Sequence, residues 1–202
     1  MRIETQNIFF ISDFHLSHKN ILRFDSRPFA DLDKMHEALI RNWNSVVSKD
    51  DTVFYLGDLS FGKMNYAKWF VHQLNGNINF TLGNHDKINQ ISQMNRFNVI
   101  DNEFEIYVKD DSVKGRSNGY QHIILKHYPL LSWKNMSHGT IHLHGHTHQT
   151  MAKNKDYDWF YKRKVIDVSC NGIDYTPISY SQVKSITDSR VLAFERDPLN
   201  DE

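Results

Sequence analysis

The chain has 202 residues, enough for one domain with a sizeable core, and its 40% apolar and 13% aromatic content argue against disorder. Lys+Arg and Asp+Glu number 24 each, so the formal net charge is zero, which gives no support for a protein that wraps nucleic acid or rests on an acidic membrane. A single cysteine, Cys170, rules out an internal disulfide and any multi-cysteine metal site.

Nothing in MRIETQNIFF follows the signal-peptide pattern of basic start, apolar stretch and small-residue cleavage site. No apolar stretch approaches the roughly 18 residues of a membrane span. A cytoplasmic location is expected. In chain order, IFFIS (8–12) reads as a first strand. DLDKMHEALIRNWNSVVS follows, with Met35, Leu39, Trp43 and Val46 at helical spacing. TVFYL (52–56) is the next strand, MNYAKWFVHQLNG a helix ending at the C-cap candidate Gly76, and INFTL (78–82) a third strand. The alternation predicts right-handed crossovers and an α/β sheet. The second half is richer in strands: HIILKHY (122–128), which forms a hairpin with FEIYVK through YQHIILK, then TIHLH (140–144), VIDVSC (165–170) and VLAFE (191–195). Cys170, within VIDVSC, reads as a buried, inert thiol.

What ends these strands carries the chemistry. The first stops at Asp13-Phe14-His15, the second at Gly57-Asp58 and the third at Gly83-Asn84-His85-Asp86; later ones stop at His127-Tyr128-Pro129 and Gly145-His146-Thr147-His148. One Asp or Asn after a strand is ordinary turn chemistry. Carboxylate, imidazole or amide groups at five successive strand ends point instead to a ligand-binding edge. Glycine before the ligand-type residue in three of these motifs suits a sharp bend or close backbone approach. Asp13, His15, Asp58, Asn84, His127, His146 and His148 are too many donors for one ion. Oxygen and imidazole ligands without thiolate suit two divalent metal ions sharing a carboxylate: manganese first, with iron, zinc, nickel or magnesium as alternatives.

In this order, Asp-x-His, Gly-Asp, Gly-Asn-His-Asp, His-x-Pro and Gly-His-x-His resemble the five motifs of the calcineurin-like metallophosphoesterases, from Asp13 to His148. The resemblance implies a single metallophosphoesterase domain over 1–202, built as a four-layer α/β/β/α sandwich with two mixed β-sheets. Asp13, His15 and His148 would bind one metal, Asn84, His127 and His146 the other, and Asp58 would bridge them. His85 would be catalytic, with Asp86 orienting it, and Asn84 and His85 would also meet the substrate. Two carboxylate charges against two divalent ions leave a positive centre for a phosphoester, which a metal-bridging hydroxide would attack.

The large Ser/Thr protein phosphatases of that family carry an arginine soon after Gly-Asp and usually Gly-Asn-His-Glu; here the chain reads GDLSFGKM and GNHD. A phosphodiesterase or nucleotide-directed phosphatase is therefore expected, on a small phosphoester, a nucleotide or a nucleic-acid end. The competing class is a non-catalytic, metal-stabilised scaffold or protein-binding module; it would lack a ligand or His85, and none is missing. Arg27 has two readings, a phosphate clamp or an ion pair with Asp25 or Asp31. KNKDYDWFYKRK (153–164) reads as an exposed hairpin or as a base-stacking stretch centred on Trp159. His142 and His144 alternate with Ile141 and Leu143 and are expected on the other strand face. His36, His72, His122 and His138 are expected outside the chemistry.

Overall fold

The computed structural model describes residues 1–5, 7–62, 64–114 and 119–190. The strand expected at 191–195 lies outside them. In chain order the strands are β1 (Arg2–Ile3), β2 (Ile8–Ile11), β3 (Thr52–Tyr55), β4 (Asn77–Thr81), β5 (Phe97–Asp101), β6 (Glu103–Lys109), β7 (Tyr120–Lys126), β8 (Ile141–His144), β9 (Val165–Asp167) and β10 (Ile178–Ser179). The α-helices are α1 (Ile21–Phe24), α2 (Leu32–Val46), α3 (Met64–Val71), α4 (Ile88–Ser92), α5 (Asp158–Tyr161) and α6 (Tyr180–Asp188).

Two mixed five-stranded sheets result. The first has the order β10-β2-β3-β4-β5, parallel from β2 to β5 with β10 antiparallel at its edge. The second has the order β1-β6-β7-β8-β9, with β6 antiparallel to β7 as the expected hairpin and the other pairs parallel. Alternation along each strand explains the stacking. Phe10, Phe54 and Leu56 of the first sheet meet Ile106, Ile123, Leu125 and Leu143 of the second in one buried cluster. On the reverse face of the first sheet, Val53, Tyr55, Ile78 and Phe80 pack against Met35, Leu39 and Trp43 of α2 and against Ala67, Phe70 and Val71 of α3. These strands are apolar on both faces because both faces are covered.

The far side of the second sheet has a thinner cover. There Ile124 and Val165 pack with Trp133, Met136 and Phe160, from a 3-10 turn at Met136–His138, the loop before it and α5. Local signals fix the long helix: the Asp31 side chain accepts from the Lys34 N–H at 2.8 Å, capping α2, and Val47 is already extended. Gly76 is not the C-cap of α3, which stops at Val71. It sits at φ +88° in the turn into β4, where a Cβ would press on Val47 and Val53. No helix among the described residues is long and apolar enough to cross a membrane.

Candidate metal centre

Parallel strands deliver their C-terminal ends to one edge. Asp13 and His15 follow β2, Asp58 follows β3, and Asn84 and His85 follow β4, all from the first sheet. His127 follows β7, and His146 and His148 follow β8, from the second. The sheets are joined beneath the centre by a parallel bridge between Ser12 and Ser169. The loops after β2 and β3 are zipped together: Asp13 N–H donates to Gly57 O at 3.0 Å and His15 N–H to Asp58 O at 3.1 Å. A Cβ on Gly83 would collide with Asp58, and one on Gly145 with Asp13 and Ser12, so glycine at these motif positions permits the close approach. Asp13, His15, Asp58, His146 and His148 all have left-handed backbone, with φ of 62, 51, 58, 69 and 46°. Such conformations cost about 1–3 kcal/mol each and persist where the surroundings impose them.

Two ligand sets emerge. Asp13, His15 and His148 offer atoms within 4.8 Å of one another, and so do Asp58, His127 and His146. His15 Nε2 and His148 Nε2 lie 2.9 Å apart, and His148 Nε2 is 3.2 Å from Asp13 Oδ1. Asp58 Oδ2 stands between the sets, 3.6 Å from His15 Nε2 and 3.4 Å from His127 Nε2. Asn84 Oδ1 lies 3.0 Å from His127 Nε2 and 2.9 Å from His146 Nδ1. These two His/Asp clusters could hold metal ions, and the outer contacts support that fit. His127 Nδ1 donates to Leu56 O at 2.8 Å and His148 Nδ1 to Asp25 at 2.9 and 3.0 Å, which turns each Nε2 inward. Buried imidazole and carboxylate lone pairs converging this closely call for cations among them.

Asp13 is fully buried. It accepts from the Ser12 hydroxyl, from Ser169 Oγ at 3.1 Å and from His146 N–H at 3.1 and 3.2 Å. Burial alone would raise it, but His148 and His15 outweigh burial and hold it well below the usual carboxylate range. Burial likewise pulls His148 down, yet its bonds to Asp13 and Asp25 lift it to about 10.

Two expected roles change. Asp86 does not touch the His85 ring in the hydrogen bonds it makes. Its Oδ2 accepts from Asp58 N–H at 2.7 Å and Gly83 N–H at 2.9 Å, and its Oδ1 from Leu59 N–H at 3.1 Å. It ties the β3 and β4 turns together. Arg27 is buried: it donates to Asp25 at 2.9 and 3.1 Å, to Asp13 O and Phe14 O at 2.9 Å each, and reaches Met35 Sδ at 3.5 Å. With its donors so committed it is not a phosphate clamp, and the ion pair with Asp25 is the reading that holds. What the sequence did not reveal is that Asp25 also accepts from His148 and so links Arg27 to a candidate ligand.

His85 stands beside both sets. Its side chain is 41% exposed, its Nε2 is 4.0 Å from Asp58 Oδ2, and its N–H donates to Asp58 Oδ1 at 2.9 Å. His142 and His144 are buried on the far face as expected. Leu130 N–H donates to His142, and Tyr161 Oη lies 3.2 Å from His144 Nε2. His36 pairs with Tyr66 Oη, His72 with Met94 O and His122 with Thr140. Residues 153–164 form a 3-10 turn and α5 instead of a hairpin, with Arg163 over the Trp159 ring at 4.8 Å. Cys170 is buried, and burial pushes its thiol up to about 12.

No family model matches the chain. It is 36% identical over 191 residues to the uncharacterized protein MJ1445 of Methanocaldococcus jannaschii, covering 93% of this chain and 95% of that protein. It is 32% identical over 171 residues to the gene 66 protein of Mycobacterium phage L5, covering 72% of this chain and 79% of that protein. The chain belongs to one family with these proteins. Its fold is shared by a crystal structure of AQ665, a protein of unknown function from Aquifex aeolicus, at TM-score 0.64 and 23% identity over 89% of this chain and 98% of that one.

Proposed function

We propose that the protein is a binuclear-metal phosphoester hydrolase of the calcineurin-like class, a single four-layer domain, with a phosphodiester as the favoured substrate. The observation that carries this is Asp58 Oδ2 linking its own triplet with His127 and His146 to that of Asp13, His15 and His148, 3.4 Å from His127 Nε2 and 3.6 Å from His15 Nε2. Asp13, His15 and His148 would hold one ion, Asn84, His127 and His146 the other, and Asp58 both; manganese suits this donor set first. Bound divalent ions supply charge neutralisation at phosphorus and a water acidified enough to act as nucleophile near neutral pH.

The chain's own groups do the rest. His85, partly exposed and outside both triplets, is placed to give a proton to the leaving oxygen. Its N–H bond to Asp58 Oδ1 fixes its backbone relative to the shared ligand. Asn84, beside His127 and His146, can meet a phosphoryl oxygen as well as an ion. Because Arg27 is spent on Asp25, its guanidinium is not offered to a dianionic monoester, which favours the singly charged diester. A cytoplasmic location fits this reading.

The test is hydrolysis of bis(4-nitrophenyl) phosphate against 4-nitrophenyl phosphate with Mn²⁺ and with chelator. Metal-dependent turnover favouring the bis-ester, lost in His85→Ala with both metals still bound, is expected. Stoichiometric metal with no turnover of either ester would favour the scaffold reading.

A further inference from the structure

We propose that His18, Phe24 and Phe61 form a stacking subsite for a nucleobase, making the substrate a nucleoside phosphodiester; the inference rests on the phosphoesterase reading above. Four rings close a corner of the metal centre. His15 lies 6.2 Å from His18 and 5.5 Å from His85, Phe61 lies 4.5 Å from His18 and 5.2 Å from His85, and Phe24 extends the wall 5.9 Å beyond His18. A ligand held at the centre therefore has an aromatic surface next to it.

That surface is exposed where burial would otherwise be favourable: Phe24 is 62% and Phe61 47% exposed. Large apolar groups left bare beside a polar site mark a place for an apolar portion of the ligand. The wall is also interleaved with cations. Lys19 and Arg23 are exposed on the same segment as His18 and Phe24, and the Arg23 guanidinium sits 5.4 Å from the Phe24 ring centroid. Rings for a base, with cations for the phosphates that flank it, are how single nucleotides and strand ends are held. The aromatic–basic pattern looked for at 153–164 thus occurs at 18–24, next to the ligands. Tyr128, 45% exposed and 4.5 Å from the His146 ring, gives the opposite side of the centre a second aromatic face.

The experiment compares the 4-nitrophenyl ester of thymidine 5′-phosphate with methyl 4-nitrophenyl phosphate, which share a leaving group, on Mn²⁺-loaded protein. A preference of about 10-fold or more in kcat/KM for the nucleoside ester is expected, in line with base–ring stacking. Phe61→Ala and Phe24→Ala should each reduce that ratio severalfold, the ratio cancelling any common effect on His85. Calorimetric binding of thymidine 5′-monophosphate and methyl phosphate to the same proteins is the second readout. Equal turnover of both esters, or a ratio unmoved by both variants, overturns the subsite and leaves the hydrolase reading standing. No turnover of either ester, with thymidine 5′-monophosphate bound tighter than methyl phosphate and that advantage lost in Phe61→Ala, sinks the hydrolase reading and keeps the subsite. No turnover and no binding advantage overturns both.

Discussion

Asp86 separates two views of the site. If it orients His85, removing it should change proton transfer and leave the fold alone. The structure makes it a tie between two turns, its carboxylate accepting from the N–H groups of Asp58, Gly83 and Leu59 at 2.7, 2.9 and 3.1 Å. Asp86→Ala leaves all three amides without that acceptor. At about 1–3 kcal/mol per unsatisfied buried donor, partly offset by removing a half-buried charge, the net loss is about 3–5 kcal/mol. For a chain of this size that is a fall in Tm of roughly 6–20 °C. Asp86→Asn can keep one oxygen on the Asp58 and Gly83 amides while its NH₂ faces Leu59, so only about 1–3 kcal/mol is lost. Urea and thermal unfolding of the chelated protein measure these losses. The order wild type, Asn, Ala is expected, with the pH–rate profile unchanged in shape for Asn. Stability within about 0.5 kcal/mol of wild type in both variants, together with a displaced pH profile, would refute the tie and restore the orienting role.

Asp25→Ala frees His148 Nδ1 and is expected to weaken metal binding about 10–100-fold, measured by competition with a chromogenic chelator. Arg27→Ala removes one of the two cationic partners of Asp25 and the donors to the Asp13 and Phe14 carbonyls, and should lower stability by about 2–4 kcal/mol in urea unfolding, rather than raise KM alone. Metal uptake should release about one proton near neutral pH, because His148 is held protonated up to about 10 by Asp13 and Asp25. Without metal, that raised value gives stability present below 6.5 and lost as pH rises through about 10; titration calorimetry in buffers of different ionisation heat counts the proton. His142 behaves oppositely. Burial, with His144 beside it, depresses it from 6.5 to about 3, so the unfolded chain takes the proton first and stability falls as pH drops below 6.5. At pH 4.5 that is about 2–3 kcal/mol, which His142→Gln should abolish in unfolding experiments with chelator present.

The longer strands and α2 were readable because each carries an apolar pattern of its own period over several residues. The convergence of the candidate ligands was readable because their types cluster immediately after strands. What escaped has other causes. β1 and β10 are two-residue strands with no period to detect, and β5, FNVID, is an edge strand of mixed polarity. The direction of Asp86 depends on how the Gly83–Asp86 turn curls, and adjacency to His85 in sequence does not report it. Arg27 lies close to the ligands in sequence and in space, but Ser26 at φ 51° turns its guanidinium inward onto Asp25. Phe61 acquires meaning only when β3 brings it against His18 and His85.

The two shortest strands bear on how the chain can be assembled. β1, at residues 2–3, completes the sheet built from the later part of the chain, and β10, at 178–179, completes the sheet built from the early part. During synthesis β2 waits for its edge partner β10 through well over a hundred further residues, while β1 has no partner until β6 emerges. Neither layer can be finished in the order it is made. The candidate ligands divide the same way, Asp13, His15, Asp58 and Asn84 arriving early and His127, His146 and His148 late, so a nascent chain that stops short of β7 carries only the early four. The full set of candidate ligands is thus gathered only after early and late segments have been laid across each other.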